Sequence, residues 1–244
     1  MRRLAATDSG PSDPMTDTAL PPCLHDLTTG TPGAGLVLAH CGYRPEAFDE
    51  GAFAGADIEP PAALAGAIAK RRTEYLAGRV CARAGLRHAL GLEAVPGIGA
   101  DRAPRWPVGA VGAITHSRGR AAALVGDGAN WQGLGLDVEH WLAPARAARL
   151  CGELLTPVER EALAGLSEDA LARHVTLTFS VKESLFKALY PLTGRRFYFQ
   201  DAALEDGRIR LLTDLSEDWS AGTCLSFRAE EESAGVLSWI TIPR

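Results

Sequence analysis

Gly133-Leu134-Gly135-Leu136-Asp137-Val138-Glu139 reads as a β-strand, and the rest of the fold is organised around it. Successive side chains of a strand point to opposite faces, so Asp137 and Glu139 share one face. Two carboxylates on one face repel unless a cation or water separates them. A hard divalent ion such as Mg²⁺ takes such oxygens together with phosphate oxygens. A solvated strand edge accounts for the same pair and is the commoner case for a lone Asp-x-Glu, because acids are mostly exposed.

Downstream of this strand, Thr156-Pro157-Val158-Glu159 is a capping box with proline at the first helical position, which starts a helix. A second helical pattern runs from about 168 to 190 and is expected to stop before Pro191. It contains Phe179-Ser180-Val181-Lys182-Glu183-Ser184-Leu185-Phe186-Lys187. Glu183 and Lys187 are four apart and so share a helix face. They read either as a solvent-exposed ion pair or as a third metal carboxylate beside a phosphate-binding ammonium. Beyond this helix the chain looks like strands, with a hairpin signal at Asp206-Gly207 and an apolar end at 236–242.

Upstream, two short strands are expected near 111–115 and 121–125, with Ser117-Arg118-Gly119 as their turn. The break at 126–133 connects this half to the strand at 133–139. Residues 94–112 are rich in Gly and Pro and read as loop. Residues 60–91 read as one long helix, with Pro60 and Pro61 in its first turn and Gly91 ending it. Leu36–Ala39 reads as a buried strand. Residues 1–20 are polar and read as a disordered tail. The class expected is α+β: two small α+β lobes, residues 21–130 and 131–244, with no obvious sequence repeat between them, meeting at a cleft that holds the site.

The long helix carries Lys70, Arg71, Arg72, Arg79 and Arg83. Arg71 and Arg79 are about 80° apart around the axis, hence on roughly one side. Arginine suits phosphate recognition, although a solvated basic face has the same composition. His116 follows a strand at a turn, where it either donates to a phosphate or caps the turn. Of 25 basic residues only three are lysines, Lys70, Lys182 and Lys187. Two of them fall within six residues, where a compact ammonium differs from a guanidinium.

Bulk properties exclude several classes. At 244 residues with 46% hydrophobic content the chain can bury a core. A formal net charge of -5 argues against a generally basic nucleic-acid-binding surface. No apolar run reaches the roughly 18 residues of a membrane span, and no apolar stretch follows the N-terminal arginines as in a secretion signal. Five widely spaced cysteines without Cys-x-x-Cys argue against a disulfide scaffold or zinc ribbon and for a cytoplasmic location. There is no P-loop, no complete dinucleotide fingerprint, no His-Glu-x-x-His and no nucleophile elbow.

Gly-Leu-Asp-Val-Glu (135–139), followed some 40 residues later by 179–187, resembles the two signature motifs of 4'-phosphopantetheinyl transferases. Three upstream segments resemble the branch typified by enterobactin synthetase component D and surfactin-type enzymes. They are Arg-Arg-Thr-Glu-Tyr-Leu-Ala-Gly-Arg (71–79), Arg-Ala-Pro-Arg-Trp-Pro-Val-Gly (102–109) and Gly-Ala-Ile-Thr-His (112–116). The resemblance runs from about 36 to 205. It implies two α+β lobes in pseudo-twofold relation with coenzyme A in the cleft. It implies transfer of the phosphopantetheine arm to a serine of an apo carrier protein, with Mg²⁺.

By position, the resemblance makes Asp137, Glu139 and Glu183 the metal-binding acids and Glu183 the general base. Lys187 matches the lysine on the phosphates. Arg71, Arg79 and His116 match contacts to the CoA phosphates, and Arg102 matches the basic position of an Arg-x-Pro loop. Ala113 departs from the Gly-Ser that often precedes the His motif, which removes a hydroxyl. The implied partners are carrier domains of peptide synthetases, as in siderophore assembly, or of polyketide synthases. Neither nucleic acid nor membrane is implied, and two lobes in one chain lead us to expect a monomer. A Mg²⁺-dependent pyrophosphate hydrolase and a non-catalytic CoA- or carrier-binding module use many of the same residues.

Overall fold

The computed structural model describes residues 20–244, so the expected tail lies outside the described residues except for Leu20. The N-terminal half contains β1 (Leu24–Gly33), β2 (Leu36–Tyr43), a short α1 (Ala52–Gly55), α2 (Ala69–Leu90), β3 (Gly97–Ile98), β4 (Pro104–Arg105), β5 (Ala110–Ser117) and β6 (Arg120–Asp127). The C-terminal half contains β7 (Trp131–His140), α3 (Pro144–Leu154), α4 (Pro157–Ala162), α5 (Glu168–Thr193), β8 (Ala202–Glu205), β9 (Arg208–Leu211), β10 (Cys224–Ser226), β11 (Arg228–Glu231) and β12 (Gly235–Pro243). Mixed helix and antiparallel strand is the expected α+β class.

Strand alternation explains the layering. In the sheet β1-β2-β6-β5, Ala39, Cys41, Tyr43, Ala121 and Ala123 face α2, where Leu76, Ala77, Val80 and Cys81 cover them. The intervening Leu36, Ala122 and Leu124 turn the other way. There they meet Leu134, Leu136 and Val138 of β7 and Leu237 and Trp239 of β12. Those two strands belong to the sheet β11-β12-β7. Val181, Leu185, Ala188 and Leu189 of α5 pack with Ile240 and Ile242 of β12 and with the small sheet β10-β9-β8.

The odd-numbered face of β7 runs Gly133, Gly135, Asp137, Glu139. A Cβ on Gly133 would lie 2.6 Å from the Ala188 carbonyl oxygen, and one on Gly135 would collide with that of Ser184. The two glycines therefore let the α5 backbone lie directly on the strand. Ser184 Oγ donates to Ser238 O at 3.0 Å, and the Ser180 and Ser238 hydroxyls are 2.8 Å apart, which satisfies this close buried seam.

Several boundaries differ from the sequence expectation. The helix expected over 60–91 begins at Ala69. Pro61 is extended, Ala62–Leu64 is a single 3-10 turn and Gly66 takes φ +73°, so the prolines precede the helix and do not open it. The helix expected to stop before Pro191 runs to Thr193. Pro191 lacks the N–H that would reach Lys187, but it sits in the last turn, where left-handed Gly194 donates to Tyr190 O at 2.8 Å and ends the helix. β5 begins inside the segment read as loop, and the expected break at 126–133 shrinks to three residues because β6 and β7 extend into it. β1 and α3 were not expected. The capping box forms as read, with Glu159 N donating to Thr156 Oγ1 at 3.2 Å and Thr156 N to Glu159 Oε2 at 2.8 Å.

Candidate active site

Beyond the two glycines, the same face of β7 carries its two acids. Asp137 is buried beneath α5, and Lys187 Nζ donates to its Oδ1 at 2.7 Å. Lys187 also donates to Leu136 O at 3.0 Å and to Thr115 Oγ1 at 3.3 Å. Thr115 on β5 donates to Asp137 Oδ1 at 3.1 Å and accepts from Val138 N at 3.3 Å. One residue from the first half thus locks the acid of the second half to its lysine. Lys187 is not held by Glu183, as a simple i,i+4 pair would have it; its partner is Asp137, fifty residues away.

Glu139 lies two residues along, where Ser117 Oγ donates to its Oε2 at 3.5 Å. Burial, helped by the charges of Asp137 and Glu183, pushes its carboxyl up to about 7 against the pull of Lys187 and Ser117. Burial also raises the Glu183 carboxyl; Lys187 opposes this and Asp137 adds to it. The three acids therefore sense one another across the strand–helix junction.

Whether these residues suit a hard divalent cation can be tested on their own atoms. Among the described residues no three His, Cys, Asp or Glu side chains are gathered as a ready-made metal cage. The donor chemistry nevertheless fits. Asp137 Oδ2 is buried with no hydrogen-bond partner, and the repulsion among Asp137, Glu139 and Glu183 is what an oxygen-seeking cation relieves.

A second cluster lies on α2. Glu74 is buried, with Lys70 Nζ at 3.3 Å, Arg71 at 3.9 Å and His116 Nδ1 at 3.9 Å from its carboxylate. Tyr43 OH donates to it at 3.4 Å. Arg71, a donor only, meets His116 Nε2 at 3.4 Å. Burial lowers the His116 pKa; Glu74 opposes this, and Arg71 and Lys187 reinforce it. His116 follows Thr115, so this basic cluster adjoins the acid cluster.

Arg79 stands apart. It is 5% exposed, donates to Gly97 O at 3.0 Å and stacks 4.5 Å over the Tyr75 ring, while its Nε has no partner. Arg71 is near enough to lower its pKa further, after burial. Arg102 is exposed on a loop with φ +72° and makes no side-chain hydrogen bond among the described residues. Ala113 is buried in the sheet-to-sheet core, where a serine hydroxyl would need a partner.

Beside Glu183 opens a cavity of about 250 Å³ walled by Phe186, Phe197, Tyr198 and Phe199. Thr115, Glu74 and this aromatic wall were not singled out by sequence reasoning. Thr115 and Glu74 fall inside the segments 112–116 and 71–79, but their partners are distant in the chain. Phe186 of the wall falls inside the segment 179–187, whereas Phe197, Tyr198 and Phe199 come from the segment after α5, which carried no recognisable chemistry.

A family model described as the 4'-phosphopantetheinyl transferase N-terminal domain matches residues 59–126. One described as the 4'-phosphopantetheinyl transferase superfamily matches residues 133–230. The chain is 44% identical over 148 residues to 4'-phosphopantetheinyl transferase Svp of Streptomyces mobaraensis, spanning 60% of this chain and 59% of that protein, which is less than two thirds of its length. It is 38% identical over 160 residues to enterobactin synthase component D of Escherichia coli K12, spanning 66% and 74%. It is 32% identical over 187 residues to 4'-phosphopantetheinyl transferase PptT of Mycobacterium tuberculosis, spanning 72% and 78%.

Proposed function

This chain belongs to the 4'-phosphopantetheinyl transferase superfamily, and on that basis we propose that it moves the 4'-phosphopantetheine arm of coenzyme A onto a serine of an apo carrier protein. The observation that carries this reading is the junction of Asp137, Glu139, Glu183 and Lys187. The charges of Asp137 and Glu183 help to raise the Glu139 carboxyl, Lys187 pairs with Asp137, and an aromatic cavity opens beside Glu183.

In this reading residues 21–130 form the lobe that binds the CoA phosphates and residues 131–244 the lobe that carries the acids. The two stand in pseudo-twofold relation around the donor. Arg71 and His116 receive the phosphates of the nucleotide end, with Glu74 holding them in place, and Arg79 stands behind them, its guanidinium closed in by Tyr75 and Gly97. Arg102 supplies a further cation from its loop. Lys187 meets the pyrophosphate, and the uncharged arm enters the aromatic cavity beside Glu183. The serine oxygen forms a bond to the β-phosphorus while the bond to the bridging oxygen breaks. Adenosine 3',5'-bisphosphate departs, and Glu183 takes the serine proton.

Asp137, Glu139 and Glu183 would hold Mg²⁺, which when bound neutralises charge on the pyrophosphate and on the leaving phosphate. Lys187 balances charge on the same side, and the buried setting of Glu183 keeps a carboxylate basic enough to accept a proton. Much of the remaining rate comes from positioning.

Among the described residues no helix is long and apolar enough to cross a membrane, and all five cysteines are free. We take the enzyme to act in the cytoplasm, as a monomer, on carrier domains of peptide synthetases, siderophore assembly included, or of polyketide synthases. The test is the intact mass of an apo carrier protein after incubation with this protein, CoA and Mg²⁺. A gain of one phosphopantetheine arm, abolished by EDTA, is the expected result. CoA breakdown with no gain on any carrier class would point instead to a pyrophosphate hydrolase.

A second measurement concerns the nucleotide end. Arg71→Ala should weaken CoA about tenfold, the loss expected of one exposed charge-assisted phosphate contact. Dephospho-CoA, which lacks the 3'-phosphate, should lose little. Equal losses for both would remove Arg71 from that contact.

A further inference from the structure

Lys182 immediately precedes Glu183, but its side chain is 3% exposed and takes no part in the chemistry above. Its Nζ donates to Leu154 O at 2.8 Å, Glu159 Oε2 at 2.7 Å and Phe199 O at 2.9 Å. Three acceptors match the three protons of an ammonium. Glu159 is also fully engaged. Its Oε2 closes the capping box on Thr156 N, and its Oε1 accepts from Leu204 N at 2.8 Å on β8.

Gln200 completes the arrangement. Its Nε2 reaches the carbonyls of Gly152, Glu153 and Leu155 at 3.1, 3.1 and 2.8 Å, at the C-terminal end of α3. Those carbonyls have no partner within the helix, so the side chain caps them. Phe199 is braced from the other side by an edge contact with Phe179, ring centroids 5.5 Å apart.

The ties converge on one segment. Residues 197–204 are held to α5 through the Phe199 carbonyl, to α3 through Gln200 and to α4 through Leu204 N. The same segment supplies Phe197, Tyr198 and Phe199 to the cavity beside Glu183. A buried ion pair is a weak source of stability, because desolvation offsets most of the attraction. What this pair does supply is direction: it fixes the backbone carbonyl of Phe199, a residue of the cavity wall itself.

We propose that Lys182, Glu159 and Gln200 are positioning residues that fix the aromatic wall against Glu183 and so select the arm of the donor, a reading that rests on the transferase assignment above. Glu159 and Gln200 do not border the cavity; Lys182 borders it beside Glu183, with its ammonium turned away to Glu159 and the two carbonyls. Removing them should therefore loosen recognition of the arm and leave recognition of the nucleotide intact.

The test compares two ligands, CoA and adenosine 3',5'-bisphosphate, which lacks the arm. Affinities are measured by calorimetry and folding by thermal denaturation. The double variant Lys182→Met with Glu159→Gln removes both buried charges together, so neither is left unpaired. It should weaken CoA about tenfold while holding the bisphosphate within about twofold. Gln200→Ala keeps the ion pair and should weaken CoA alone by about threefold, as for lost neutral hydrogen bonds.

Equal losses for the two ligands in either folded variant would overturn the proposal, because general loosening moves both. So would an unchanged CoA affinity. If the double variant does not fold, Gln200→Ala decides by the same ratio. If the unaltered protein binds the bisphosphate but gains nothing from the arm, the wall assignment fails. If it binds neither ligand, the transferase reading itself fails.

Discussion

Glu183→Gln should lower transfer to a carrier serine by about 10³-fold, within the range expected for loss of a positioned general base. The amide is nearly isosteric, and α5 is held by residues on either side of it. Val181 and Leu185 are buried in the core, and Ser184 bonds to Ser238. CoA affinity should therefore fall only a few-fold, since Arg71, His116 and Lys187 are untouched. Single-turnover transfer and equilibrium binding separate the two quantities. Glu183 is also proposed as a metal ligand, so the assay is repeated over a range of Mg²⁺ concentrations. Recovery of the rate at high Mg²⁺ would assign the loss to metal affinity. A rate that stays low at saturating Mg²⁺ and CoA supports the base. Activity equal to the unaltered enzyme would reject the assignment outright.

The second large effect is structural and begins with a hydrogen atom. A methyl group on Gly135 would overlap the Ser184 carbonyl oxygen and lie 2.7 Å from its carbon and 3.0 Å from Ala188 N. All of these are backbone atoms of α5, so no side-chain rotation relieves the clash. The helix must lift off the strand. Gly135→Ala is expected to cost about 3 kcal/mol or more, the upper range for overpacking, which is about 6–12 °C in Tm at this chain length. Activity should fall further than stability. Lifting α5 separates Glu183 and Lys187 from Asp137 and Glu139, and misplacement by about 1 Å costs on the order of 10²-fold. Gly152→Ala is the control. It lies in α3 with nothing within 4 Å of its added methyl, so it should be neutral or slightly stabilising. Denaturation and transfer assays on both variants decide. A Gly135→Ala protein with normal stability and activity would show that α5 does not rest on β7 as described.

Local chemistry was legible without coordinates. The two-residue period put Asp137 and Glu139 on one side of their strand. Thr156 and Glu159 declared a helix start three residues apart, and Asp206-Gly207, both at positive φ, form the hairpin turn between β8 and β9. These features depend on residues at most a few positions apart, where sterics and turn chemistry act directly. The scarcity of lysine marked Lys182 and Lys187 as unusual. It could not separate their roles, because on a helix they differ only in which neighbours the fold brings to each.

Pairing over distance was not legible. The partner of Lys187 is Asp137, fifty residues away, and the bridge between them is Thr115, seventy-two residues from the lysine. Lys182 faces carbonyls from α3 and from the segment after α5. Glu74 carried no signal of its own in the sequence, yet it is the buried centre of its cluster. Arg79 shares a helix with Arg71 but turns inward to Gly97, because Tyr75 and the loop at 97 close over it.

The sequence by itself therefore determined the fold class and the strand and helix that bear Asp137, Glu139 and Glu183. It did so because periodicity and capping are short-range and each segment carries its own signal. Tertiary structure alone decided which cation meets which carboxylate, which arginine remains exposed and what walls the cavity beside Glu183. The pairing of Lys187 with Asp137 depends on α5 lying directly on Gly133 and Gly135, a contact between segments the chain keeps some fifty residues apart.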